Sequence, residues 1–182
     1  MSESKRCLRA ARLEDIEAMQ AIERAAGRLF ASTGMDAVAD DPPLAHAVLA
    51  AYVHGGRAWI AECGNQPVGY ALADVVDGCG HLEQVSVHPD YGRRGFGRML
   101  IQTVIEWATA QYFPALTLLT FRDVPWNGPY YAAVGFHLLP ETDWMPELMA
   151  LRQHEAERGL DAEARCAMYL QLPIKDNRDA AR

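Results

Sequence analysis

Paired cysteines are missing from this chain. Its 182 residues hold four cysteines, Cys7, Cys63, Cys79 and Cys166, widely scattered and with no Cys-x-x-Cys. That argues against a disulfide framework and for a reducing compartment. Metal-ligand spacing is missing too. The six histidines complete no zinc pattern, and Cys79-Gly-His81 is too tight and too isolated to count, so no metal is expected. No apolar run approaches the ~20 residues of a membrane span. The opening residues, MSESKRCLRAARLEDIEAM, place charges where a signal peptide needs an apolar stretch. The expected location is therefore the cytoplasm, with no membrane partner. Positive charge is in deficit: Lys and Arg total 17 against 24 Asp and Glu, a formal net charge of −7. An acidic chain repels phosphate backbones, so no nucleic-acid partner is expected.

What is present is the balance of a globular protein. Hydrophobic residues make up 50% and charged residues 23%, and a chain of this length buries roughly 70% of its unfolded surface without staples. No internal repeat, low-complexity tract or linker divides it. The expectation is one domain over residues 1–182, with a core of about 6–172 and a short polar tail at 173–182. Residues 6–11 read as a first strand. Leu13 to about Phe30 reads as an amphipathic helix on Ile16, Met19, Ile22 and Ala26. Gly34 to Pro43 breaks the pattern, and a helix is expected from Leu44 to Val53, stopped by Gly55-Gly56. Two strands, 58–63 and 68–76, flank Gly64-Asn65-Gln66-Pro67, which has hairpin-turn chemistry. A third strand spans 81–87. A strong helix follows from Gly95, with Phe96, Met99, Leu100, Val104, Trp107 and Ala108 on one stripe. Residues 115–121 read as a buried strand, 130–134 as a short helix, 136–139 as a strand, 146–158 as a helix and 164–172 as a last strand. The class is mixed α/β.

The chemistry points to Val87-His-Pro-Asp-Tyr-Gly-Arg-Arg-Gly-Phe-Gly-Arg-Met-Leu100. A strand ends, a loop with three glycines follows, and a helix begins. Glycine lets backbone approach a ligand, and a helix N-terminus offers unpaired N–H donors with partial positive charge. Together these form a phosphate cradle. Arg93, Arg94 and Arg98 against Asp90 make the segment locally cationic in an acidic chain. A Walker loop is excluded for want of its lysine. The dinucleotide fingerprint is excluded because the sixth position from Gly95 is Leu100. A surface turn with solvated arginines is the plain alternative.

The stretch HLEQVSVHPDYGRRGFGRMLI, followed about thirty residues later by FRDVPWNGPYYAAVGFHLL, resembles the GNAT superfamily of N-acetyltransferases. The likeness covers roughly residues 6–172. It implies a central, mostly antiparallel twisted sheet flanked by helices and splayed at the cofactor-binding strand. It also implies acetyl-coenzyme A as co-substrate and an amine-bearing small molecule or peptide as acceptor. A homodimer stays open. The family signature is Gln/Arg-x-x-Gly-x-Gly/Ala. Gly95 and Gly97 fill its last two marked places, while Gly92 stands where Gln or Arg is usual, with Arg93 or Arg94 as candidate substitutes.

The resemblance assigns roles residue by residue. Backbone N–H groups over Gly92, Arg93, Arg94, Gly95, Phe96, Gly97 and Arg98 would hold the pyrophosphate. Val85, Ser86 and Val87 would pair with the pantetheine arm as an added strand does. An N–H near Val85 would face the thioester oxygen. Asn127 is either a cofactor contact or a turn or helix N-cap. Tyr131, four residues before Gly135, would donate to the leaving thiolate, or is a core aromatic; Tyr130 matches a packing position. Glu83 shares strand parity with Val85 and Val87 and is the base candidate, with a paired or solvated strand glutamate as the alternative. His81 and His88 are lesser candidates. The implied reaction is direct attack of a primary amine within a ternary complex. The rival is a non-catalytic acyl-coenzyme A-binding or regulatory module on the same fold.

Overall fold

A computed structural model describes residues 5–173; the tail expected at 173–182 falls, from 174 on, outside the described residues. The elements run β1 (Arg6–Ala10), α1 (Ile16–Gly27), α2 (Asp36–Ala39), α3 (His46–His54), β2 (Ala58–Cys63), β3 (Gln66–Val76), β4 (Cys79–Val87), α4 (Phe96–Ala110), β5 (Ala115–Phe121), α5 (Gly128–Val134), β6 (His137–Leu138), α6 (Pro146–Glu157) and β7 (Arg165–Gln171). The strands form one seven-stranded sheet in the order β1-β2-β3-β4-β5-β7-β6, mostly antiparallel, with β4–β5 as the parallel pair. Two compact units divide the chain: residues up to Asp74 with Leu82–Val104, and Val75–His81 with the residues from Ile105 on.

In the first unit β1 pairs antiparallel with β2, and β2 with β3. The β2–β3 hairpin closes on Gly64 and Asn65, both left-handed at φ 60° and 66°, the backbone that a two-residue turn between twisted strands requires. The apolar stripe of α1 places Ile16, Met19 and Ile22 on Ile60, Tyr70 and Leu72 of the sheet, with Leu49 of α3 beside them. Each such fully buried side chain contributes about 1.5–3 kcal/mol. The helix expected over 13–30 is an α-helix with 3-10 turns at both ends, Leu13–Asp15 and Arg28–Thr33. Asp15 fixes its start. The carboxylate accepts from Arg12 N–H at 2.7 Å and from Arg9 Nη1 and Nη2 at 2.7 and 2.8 Å, and Arg9 Nε also donates to Glu62. The break at 34–43 contains the one-turn helix α2. The following helix begins later than periodicity suggested, because Ala45, two residues past Pro43, is extended at ψ 147°.

In the second unit β5 pairs antiparallel with β7 along its whole length, Ala115↔Gln171 to Phe121↔Arg165, and β6 adds beyond β7. The β4–β5 register covers Gly80↔Leu116 and His81↔Thr117; Leu82–Val87 lie beyond it. Trp144 and Leu148 pack with Val76 and Ala167. Helix α6 has no side-chain cap of its own at Met145. Asp77, in the turn before β4, supplies one: its carboxylate accepts from Glu147 N–H at 3.0 Å and Leu148 N–H at 2.8 Å, while its own N–H donates to the Glu147 carboxylate.

Candidate active site

The loop between β4 and α4 is a chain of short local bonds. His88 N–H donates to Val68 O at 2.8 Å, Tyr91 N–H to His88 O, and Gly92 N–H to Pro89 O at 2.9 Å. The chain then turns through two left-handed residues, Arg93 at φ 56° and Gly95 at φ 87°. A non-glycine residue pays roughly 1 kcal/mol for that conformation, whereas Gly95 adopts it freely. Phe96, 1% exposed, anchors the first turn of α4 in the core. The N–H groups of Phe96, Gly97 and Arg98 head that helix with no intrahelical acceptor. Of the donors expected over 92–98, the Gly92 N–H is spent inside the turn.

The arginines divide. Arg94 lays its guanidinium over the Tyr91 ring at 5.3 Å and donates to Cys63 Sγ at 3.8 Å. Its carbonyl accepts from Arg6 Nη1 at 2.8 Å. All three arginines are exposed, but Arg94 is the one whose guanidinium is seen to contact the loop and the neighbouring strand. Arg6 lies eighty-eight positions from Arg94, and no local pattern in the sequence singled it out.

On β4, Glu83 is exposed, Val85 and Val87 are half-buried, and Ser86 is buried. The Glu83 charge is felt by Tyr52 of α3. Burial pushes the Tyr52 phenol well above its ordinary value, and the Glu83 and Asp74 charges push it further. Tyr52 donates to Asp74 Oδ2 at 3.2 Å, Arg57 pairs with the other oxygen of Asp74, and the Arg57 guanidinium stands 5.5 Å from the Tyr52 ring centre. Asp74 and Asp77 both have structural duties, Asp74 to Arg57 and Tyr52, and Asp77 to α6.

Asn127 and Tyr131 belong to the second unit. Asn127 heads α5 at φ −116°, ψ −109° but makes no side-chain cap bond, so the N-cap alternative holds by position only. Its Nδ2 reaches Trp126 O at 3.4 Å, and its Oδ1 is buried without a hydrogen-bond partner. Gly128 follows with no room for a side chain, since a Cβ there would collide with the Arg122 carbonyl. Tyr131 is half-buried, edge-on to Phe136 at 5.8 Å and to Tyr130 at 5.7 Å. Burial pushes its phenol well above the ordinary tyrosine value, with the neighbouring Tyr130 adding to the shift.

Comparison with known proteins bears on the family and the fold. The model of the acetyltransferase (GNAT) family matches residues 17–136. Solved structures share the fold. The ribosomal-protein-S18-alanine N-acetyltransferase of Escherichia coli is 17% identical, with 94% of this chain and 97% of that one covered at a TM-score of 0.66. A GCN5-related N-acetyltransferase of Rhodopseudomonas palustris is 25% identical, with 94% and 99% covered at 0.65. N-acetylglutamate synthase of Neisseria gonorrhoeae, solved with coenzyme A and N-acetyl-glutamate, is 19% identical, with 94% of this chain but 36% of that one covered, at 0.69.

Proposed function

From the premise that this chain belongs to the acetyltransferase (GNAT) family, we propose that it moves an acetyl group from acetyl-coenzyme A to a primary amine by direct attack in a ternary complex. The observation that carries the reading is the loop at 88–98, which ends a strand, turns through Gly95 and presents the first-turn donors of α4 beside exposed Arg93 and Arg98. Two features of the chain fit coenzyme A. The donors of Phe96, Gly97 and Arg98 suit a pyrophosphate, and the buried Asn127 Oδ1 lacks the donor that a pantetheine amide carries. When bound, acetyl-coenzyme A supplies the thioester and the leaving thiolate. The chain supplies the rest. The backbone of Val85, Ser86 and Val87 offers strand-like pairing. The Val85 N–H donates to the carbonyl oxygen as negative charge gathers there. Glu83 accepts the proton of the attacking amine, directly or through water. Tyr131, kept protonated by burial, donates to the departing sulfur.

The acceptor is an amine-bearing small molecule or peptide. The neighbours named above bear on both kinds: one is a ribosomal-protein-S18-alanine N-acetyltransferase, and the other was solved with N-acetyl-glutamate, the acetylated form of an amine-bearing small molecule. The deciding experiment pairs coenzyme A calorimetry with free-thiol release across a panel of polyamines, amino acids, aminoglycosides and peptide N-termini. Binding together with amine-dependent thiol release is expected. Binding without release for any amine would leave the non-catalytic module, and absence of binding would remove the cofactor assignment altogether.

A further inference from the structure

Arg94 is held at both its carbonyl and its side chain, and one pair of residues does both. Arg6 of β1 and Cys63 of β2 stand directly opposite each other in the strand register, and such a pair projects on one face of a sheet. Arg6 Nη1 donates to the Arg94 carbonyl at 2.8 Å. The Arg94 guanidinium donates to Cys63 Sγ at 3.8 Å and lies over the Tyr91 and Phe96 rings at 5.3 and 6.0 Å. The same Arg6 nitrogen stands 3.5 Å from the point that a Cβ on Gly95 would occupy. Gly95 is fixed on its far side as well, since its carbonyl accepts from Met99 N–H at 3.1 Å as α4 begins. Between these anchors lies one peptide unit, Arg94–Gly95. Its N–H meets no backbone acceptor among the described residues.

In a trans peptide the carbonyl and the N–H share a plane and point opposite ways. The bond from Arg6 to the carbonyl therefore decides where the Gly95 N–H points. Without that bond a second orientation is open. Turning a peptide plane over changes ψ of the residue before it and φ of the residue after it, as between the two common β-turn types. Glycine takes either sign of φ with little cost, and Gly95 sits at φ 87°. We propose that Arg6 is a positioning residue: by holding the Arg94 carbonyl it keeps the Gly95 N–H turned toward the pyrophosphate of coenzyme A, alongside the first-turn donors of α4. Arg6 lies on the carbonyl side of that peptide, so it acts through the loop and not on the phosphate itself. This rests on the reading above, in which the loop at 88–98 holds the pyrophosphate.

Amide NMR of the 15N-labelled chain, titrated with coenzyme A, reads the orientation, because an amide proton donated to a phosphate oxygen moves downfield. In the wild type the Gly95 amide proton is expected to make that move. Arg6→Met keeps the stem and drops the donors; there the Gly95 displacement should fall by more than half. Coenzyme A affinity should fall on the order of tenfold, the scale of one hydrogen bond to a charged group, with the melting temperature unchanged. Half or more of the displacement retained in Arg6→Met overturns the inference whether or not affinity falls, since a fall alone would make Arg6 a charge near the ligand. Should that variant not fold, Arg6→Ala is judged by the same readout. A loss shared equally by the Phe96, Gly97 and Arg98 amides, with a lowered melting temperature, also overturns it, as the mark of general support for the loop. If coenzyme A moves those three amides in the wild type but not Gly95, the inference fails and the pyrophosphate reading stands. If it binds and moves no amide over 92–98, that reading itself fails.

Discussion

A phenol that acts as a proton donor must keep its proton, and the packing around Tyr131 sees to that. Its ring sits edge-on to Phe136 and Tyr130, and burial raises its pKa, so ionisation is postponed beyond the ~10 of a solvated tyrosine. Tyr131→Phe removes the hydroxyl and keeps both ring contacts. Turnover with a good amine is expected to fall on the order of 10²-fold, with coenzyme A affinity and folding preserved. Tyr130→Phe, one position away, is the control and should cost little. Steady-state turnover of the two variants, once the chemical step is shown to be rate-limiting, decides between donor and core aromatic.

Among elements, α6 shows how one helix depends on a residue far from it in sequence. Met145 offers its N-terminus no side-chain cap, and the Asp77 carboxylate satisfies two of the orphan N–H groups instead. Asp77→Ala is expected to cost about 1–2 kcal/mol, the usual worth of a cap. Each kcal/mol should lower the melting temperature by about 2–4 °C in a chain of this size, read by differential scanning calorimetry. An unchanged melting temperature would mean that water caps α6 equally well. The helix itself is legible in the sequence at 146–158; its cap is not, because the two partners lie seventy residues apart and nothing local marks them. The site divides along the same line. The strand, glycine loop and helix start can be read directly, since the period changes from two to 3.6 across Val87 and Phe96. The Arg6 bond to the Arg94 carbonyl and the Tyr52–Asp74–Arg57 cluster cannot, since each joins residues that only the folded chain brings together. The commitment of Arg94 to Cys63 and Tyr91 was equally invisible: beside Arg93, the sequence makes the two arginines look interchangeable.

For the molecule as a whole, the response to acid carries a signature of the Arg9, Asp15 and Glu62 cluster. The Asp15 carboxyl is held below the usual carboxylate range, chiefly by its hydrogen bonds from Arg9. A carboxyl whose folded value lies below the unfolded one, about 3.9, stabilises the fold at every pH above that unfolded value. The contribution fades as pH falls through the folded one. Asp15→Asn should therefore be less stable at neutral pH by about 2 kcal/mol, the scale of hydrogen bonds to a charged group. The gap should close as both proteins are taken well below pH 4. Urea unfolding across that range is the measurement, and a gap that stays constant into strong acid would contradict the charge-based account.

The two ends of the seven-stranded sheet bear on how the chain behaves in a crowd. At one border β6 is only the pair His137 and Leu138; at the other, the five residues of β1 carry Arg6 and Arg9. A sheet border propagates into fibres when it is long, flat and apolar, because a newcomer can then zip its own backbone along it. A border two residues long gives an incoming strand almost nothing to template on, and a border of five residues gives it little more.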